Sequence, residues 1–221
     1  MAIVFFIGGI ICGFLLNIVI EKISCIVVRK KNMEKYIGVT YYKKSQNHIK
    51  VRIKNILVIL ISAILFLISF LQIGLNVILV KALVLNSILI VVSFIDIEHE
   101  IIPDKIIIFT LVVGVIFSSI DDISFVNAVG GMVFGGGLML ILALVPGVLG
   151  GGDIKLMFAL EIFLGFKGTL FALLLAFILA SVISILLLLL NIKKRKDYIP
   201  FGPFLSLGSF IAFNFISIMK F

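Results

Sequence analysis

Two aspartates stand where an acid is unusual. Asp96 closes an apolar run and opens the acidic part of SFIDIEHEIIPDK, residues 93–105. Asp153 follows Gly150, Gly151 and Gly152 and precedes another apolar run. A carboxylate at the centre of a bilayer costs about 2.5–3.5 kcal/mol on insertion scales. At a boundary the cost is smaller, so an ordinary solvated loop is the plain alternative. Context favours chemistry for these two. Adjacent glycines remove side-chain bulk, and a peptide can then reach the main chain and the carboxylate beside it. Non-helical backbone at membrane depth is tolerated only where it lines a wet or protein-filled site. Two such acids together can hydrolyse a peptide: one carboxylate activates water while one carboxylic acid protonates the carbonyl oxygen. Asp96 and Asp153 are far apart in the chain, so only the fold can join them. Asp153 is expected near a helix N-terminus, whose dipole favours an anion, and Asp96 near a helix C-terminus, whose dipole disfavours it. That placement predicts Asp153 as the resting base and Asp96 as the resting acid.

The neighbouring polar residues carry two readings each. Glu98 and Glu100 suit a basic peptide, or are simply solvated. Asp104 follows Pro103 and suits either the site or the cap of the next helix. Lys155 either tunes Asp153 or anchors at lipid headgroups. Gly150 and Gly152 support access to Asp153. His99 has only His48 as a fellow histidine, too few for a metal site, and no metal ligand is assigned. Asn17 and Glu21 are polar inside an apolar run, hence functional or packing candidates.

The elements that position these residues are membrane helices. The chain has 221 residues, 62% hydrophobic and 14% charged, with a mean hydropathy of +1.36. A soluble domain is about half apolar and a quarter charged. A helix that crosses a bilayer needs about 20 mostly apolar residues. Apolar runs fall at about 3–28, 55–73, 77–95, 106–120, 125–147, up to 166 and 168–192, with a last run after IPFGP to Phe221. They predict an all-α polytopic bundle of about eight transmembrane helices in one domain, 1–221, with a short basic loop at about 29–54. Gly130, Gly131, Gly135, Gly136 and Gly137 suit close helix packing.

The formal charge is +8. The basic residues lie between apolar runs, where they fix topology and meet anionic headgroups, and no aromatic-basic module suggests nucleic acid. Arg29, Lys30, Lys31, Lys35, Lys43, Lys44, Lys50, Arg52 and Lys54 crowd one loop, and KKRK at 193–196 another. The positive-inside rule puts both loops in the cytoplasm, together with 96–104 and 148–153, and both termini outside. Lys81, Lys167 and Lys220 are left for the outer half. The N-terminus lacks a basic n-region and a cleavage site, so no removed signal peptide is expected. Cys12 and Cys25 form no CxxC pair and read as small buried hydrophobes.

FIDIEHEIIPD and GGGDIK resemble the two signatures of the type IV prepilin peptidases, membrane aspartyl proteases of the GxGD type. Asp96, followed by Pro103-Asp104, matches the first. Gly150, Gly152, Asp153 and Lys155 match the second, GxGDxK. Gly13 and Asn17 resemble the family's N-terminal G-x-x-x-N segment, and IPFGPF at 199–204 its C-terminal one. The resemblance implies eight helices, Asp96 and Asp153 as the catalytic pair, and a bacterial plasma membrane location. It implies cleavage on the cytoplasmic side of type IV prepilins or pseudopilins, after a short basic leader that usually ends in Gly. Many relatives also methylate the new N-terminus with S-adenosylmethionine and carry a four-cysteine zinc site in the first loop. Residues 29–54 contain no cysteine, which excludes that zinc site and leaves methylation open. No residue is assigned to a cofactor, and proteolysis by two aspartates needs none. The expected partners are a prepilin-like substrate and the lipid bilayer, without nucleic acid. Two other readings stand beside this one: a polytopic transporter or channel, and an archaeal-type preflagellin peptidase.

Overall fold

The computed structural model describes residues 1–35, 48–118, 125–144, 149–194 and 197–218. Seven helices occur among them: α1 (Ala2–Lys35), α2 (His48–Ile73), α3 (Val77–His99), α4 (Asp104–Ser118), α5 (Phe125–Ala143), α6 (Gly151–Leu189) and α7 (Gly202–Ile218). Four of them, within α1, α2, α3 and α6, are long and apolar enough to cross a membrane. The apolar outer surface fits that solvent: Ile3, Ile11, Phe14, Leu60, Val133, Ile141 and Leu174 all face outward. The expected sixth and seventh apolar runs both fall within α6, which is two helical stretches meeting at a kink. Its helical backbone is broken at Gly165, where φ is 65° and ψ is 177°. That region is open to glycine almost alone. The expected boundary near 167 lies two residues from the break.

Lipid tails give helices no hydrophobic reason to pair, so close packing through small residues must do it. The α1–α2 contact shows how. A Cβ at Gly9 would lie 2.6 Å from the Cα of Ala63, and one at Gly13 2.7 Å from the Cα of Ile59. One further step of four along α1, Asn17 donates to the Asn55 carbonyl at 3.0 Å. Each step forward on α1 is a step back on α2, so the pair is antiparallel. Gly13 and Asn17, the N-terminal segment singled out above, therefore serve helix packing. Asn55 continues the seam by donating to Glu21 at 3.4 Å.

The α5–α6 seam uses part of the glycine run. A Cβ at Gly131 would press on the Phe166 nitrogen at 3.1 Å, and one at Gly136 on the Phe158 ring at 2.5 Å. Gly135 faces the fully buried Glu161 and Thr169, while Gly130 and Gly137 have open space around them. On the other side of α6, Phe171 stacks on Phe215 at 5.2 Å and Phe177 meets Phe201 at 5.3 Å, which sets α7 antiparallel to the second part of α6.

Enclosed most completely of the four spanning helices, α3 packs against α1, α2, α4 and α7. Asn76 caps its start, accepting the Val77 N–H at 2.7 Å. Lys81, one of the basic residues left for the outer half, is buried within the bundle. Its ammonium lies 5.9 Å from the Phe163 ring centre and 5.6 Å from that of Phe213, close enough for cation–π attraction.

The stretch 29–54 is helical at both ends, since α1 runs to Lys35 and α2 begins at His48. Lys43 and Lys44, the boundary acids Asp121 and Asp122, and Arg195 and Lys196 lie outside the described residues. The two cysteines are free.

Candidate active site

Four helix ends meet at one end of the bundle: the last turn of α3 and the first turns of α4, α6 and α7. The sequence explains each. Past Asp96, α3 continues for one turn and stops at Glu100, which takes a left-handed conformation (φ 57°) and returns its N–H to the Asp96 carbonyl at 2.8 Å. Pro103 fixes the start of α4, where Asp104 is the first helical residue. Gly150 is the N-cap of α6. Phe201, between Pro200 and Gly202, accepts the first hydrogen bonds of α7 from Phe204 and Leu205.

Asp96 and Asp153 are both buried, each with only 2% of its surface exposed, and Asp96 lies near enough to act electrostatically on Asp153. Each carboxylate is held by the backbone N–H of a glycine. Gly202 donates to Asp96 Oδ2 at 2.8 Å, and Gly150 donates to Asp153 Oδ2 at 3.3 Å. The first turn of a helix has free N–H groups. In α7 the next residue, Pro203, has none to offer, so the Gly202 N–H is the donor at that end. Asp153 Oδ1 accepts no hydrogen bond from the protein although it is buried. That oxygen is free to hold a proton or a water.

This geometry removes the premise for expecting an acid at Asp96 and a base at Asp153. Asp96 does lie at the C-terminal end of its own helix, but it also accepts from the N-terminus of α7. Both carboxylates sit at a positive helix end, so the dipole no longer separates them.

The other expected site residues are distributed around the pair. Gly152 lies in the first turn of α6, where a Cβ would meet Ile102 at 3.2 Å. Its role is the close approach of residues 101–103. Gly151 and Gly152 are helical, so the glycine run is not the loop the sequence suggested. Lys155 donates to Asp104 at 2.8 Å, joining the starts of α4 and α6. Both side chains are mostly exposed, so the pair is worth about 0–1 kcal/mol. Glu98 is engaged by Lys54 of α2 at 3.1 Å and Ser24 of α1 at 3.5 Å. Glu100 is exposed. Among the described residues no cluster of three or more His, Cys, Asp or Glu is arranged to hold a metal ion.

Two residues at this site escaped the residue-by-residue reading. Gly202 is marked in the sequence only as part of IPFGPF. Tyr198 carries no motif of its own; an aromatic beside a predicted cytoplasmic helix start is its one sequence signal. Its hydroxyl lies 3.5 Å from where a Gly150 Cβ would be. Burial, followed by the charges of Asp153, Asp96 and Glu100, pushes this phenol up to about 12. It therefore stays a neutral hydrogen-bond donor at any physiological pH.

Residues 83–185 match the type IV leader peptidase family. The match bears out the resemblance carried by FIDIEHEIIPD and GGGDIK, since both motifs fall inside it. The matched family is, by its description, one of leader peptidases. Gly13, Asn17, Tyr198 and Gly202 fall outside the leader peptidase match. Neither the curated proteins nor the solved structures compared with the chain gave a match.

Proposed function

We propose that the protein is a membrane aspartic endopeptidase that removes the basic leader from type IV prepilins or prepilin-like proteins, with Asp96 and Asp153 as its catalytic pair. One observation carries the reading. Two aspartates from separate helices are buried at one end of the bundle, each oriented by a glycine N–H, with Asp153 Oδ1 unengaged. In the reaction, one carboxylate takes a proton from water as the water oxygen attacks the scissile carbonyl carbon. The protonated partner gives its proton to the carbonyl oxygen. Collapse of the tetrahedral intermediate breaks the C–N bond, and the leaving amine takes a proton from the pair.

The cations support a cytoplasmic active site at the plasma membrane. Lys54, Lys155 and Lys193 make their bonds to Glu98, Asp104 and the Tyr198 carbonyl at the same end of the bundle as the aspartates, as expected for a cytoplasmic face. Glu100, exposed beside the pair, is the acid best placed for a basic leader. Glu98 is already occupied by Lys54.

A tagged prepilin co-expressed with the wild type, Asp96→Asn and Asp153→Asn tests the proposal. Shortened pilin should appear only with the wild type. Processing by both variants would remove the dyad. Solute flux in vesicles without any processing would favour a transporter. Mass spectrometry of the mature N-terminus reads methylation in the same samples, as an added 14 Da per methyl group if the chain uses S-adenosylmethionine.

A further inference from the structure

A cavity of about 520 Å³ lies beside Tyr198, which links it to the end of the bundle that holds the aspartates. One wall is the second part of α6, with Phe177, Ala180, Ser184 and Leu188. Residues 193–201 and the start of α7 form the other wall, and Leu149, which precedes the N-cap glycine of α6, closes the end. Tyr198 belongs to both places: it lines the cavity and its hydroxyl lies against Gly150.

Charge differs across this tyrosine. On the dyad side are Asp96, Asp153 and Glu100, all of which act on Tyr198. On the cavity side the rim carries Lys193 and Lys194 against the one acid Asp197. Lys194 donates its N–H to Asp197 at 2.8 Å and Lys193 reaches the Tyr198 carbonyl at 3.2 Å, so local bonds fix the rim. The cavity body is largely apolar, and on α6 it opens outward past the exposed Ile185 and Leu188. A basic leader is repelled here and attracted to Glu100. An apolar chain entering from the lipid is not.

We propose that this cavity is the subsite for the apolar residues of the substrate that follow the scissile bond, with Tyr198 as the divider between it and the aspartates. The proposal rests on the peptidase reading and adds a direction to it. The substrate lies with its leader toward Glu100 and its apolar continuation along the second part of α6. Tyr198, as a neutral phenol, can also donate to the peptide carbonyl that crosses the divider.

Ser184→Phe and Ala180→Phe fill the cavity from the wall away from the aspartates. With a tagged prepilin bearing a bulky apolar residue after the cleavage point, kcat/KM should fall about tenfold or more. Replacing that substrate residue with Gly should restore most of the loss, which a misfolded enzyme would not show. Independently, benzoylphenylalanine placed at Ser184 in the Asp96→Asn background should cross-link to substrate residues after the scissile bond. Undiminished processing by both filled variants, cross-links to the leader, or cross-links to phospholipid alone would each overturn the subsite. Absence of processing by the wild type would instead overturn the peptidase reading, while the cross-link still reads the cavity.

Discussion

Replacing Gly202 by Ala tests the positioning of Asp96 more sharply than replacing Asp96 itself. The added Cβ would lie 2.7 Å from Asp96 Oδ2 and 3.1 Å from its Cγ. The first contact is well inside van der Waals separation, so either the carboxylate or the start of α7 must move. Ala is otherwise a good residue for a first helical turn, and the backbone there has no positive φ. The damage is therefore local. The 2.8 Å hydrogen bond from the Gly202 N–H should stretch or break. Hydrogen bonds to a charged group are worth about 1.5–3 kcal/mol, and each 1.36 kcal/mol is tenfold in rate. Processing should then fall roughly 10- to 150-fold in kcat/KM, because a catalytic group must stay within about 0.5 Å of its working position. Prepilin cleavage by purified protein in lipid vesicles measures this, with thermal unfolding as a check on the fold. Gly137→Ala is the comparison, since a Cβ there meets nothing within 4 Å. If folded Gly202→Ala cleaved within about twofold of the wild type, the idea that this N–H positions Asp96 would be wrong.

Other substitutions probe the scaffold. Gly13→Leu would drive a side chain into the Ile59 backbone and should separate α1 from α2, read as a lower yield of folded protein and an earlier thermal transition in detergent. Gly165→Ala puts a Cβ on a left-handed residue (φ 65°) and should cost about 1–3 kcal/mol in the same thermal assay; an unchanged transition would mean the break is not strained. Lys155→Ala removes an exposed pair and should shift stability by less than about 1 kcal/mol. Lys54→Ala breaks a more enclosed pair with Glu98 and should cost more; the reverse order would count against the burial argument. Tyr198→Phe should leave the alkaline limb of the pH–rate profile in place up to about pH 9, because the phenol titrates only near 12.

How much of this was readable beforehand depended on distance along the chain. Hydropathy located every helix, because a lipid-facing segment must be apolar along its whole length. It misjudged the ends, because α1 reaches Lys35 and α2 starts at His48; helices continue into water where apolarity is no longer required. It divided α6 near Lys167, where polar residues interrupt the run, and the backbone does break two residues earlier, at Gly165. The two aspartates were readable from local context, since each sits beside a distinctive helix end. Their partners were not. The bond from Gly202 to Asp96 joins residues 106 positions apart, and no local pattern encodes it. The same holds for the Lys54–Glu98 pair, which joins α2 to the end of α3.

That long-range bond also changes what the helix ends do at this site. Three of the four converging ends are N-termini, those of α4, α6 and α7, and each presents positive charge. Only the end of α3 is negative, and its aspartate is the one that needs a donor from elsewhere. The α7 N-terminus supplies it through Gly202, and the α6 N-terminus serves Asp153 through Gly150. Both acids thus receive a backbone N–H at a helix N-terminus, at 2.8 and 3.3 Å, so on the proposed reading the dipoles alone would not decide which of them carries a shared proton. The remaining asymmetry is in the free oxygen of Asp153 and in Tyr198, whose hydroxyl lies near Gly150 on the Asp153 side. On the proposed peptidase reading the substrate itself would select the roles: a peptide crossing from Glu100 to the cavity would place its carbonyl between the carboxylates, and the proton would go to whichever faces that oxygen.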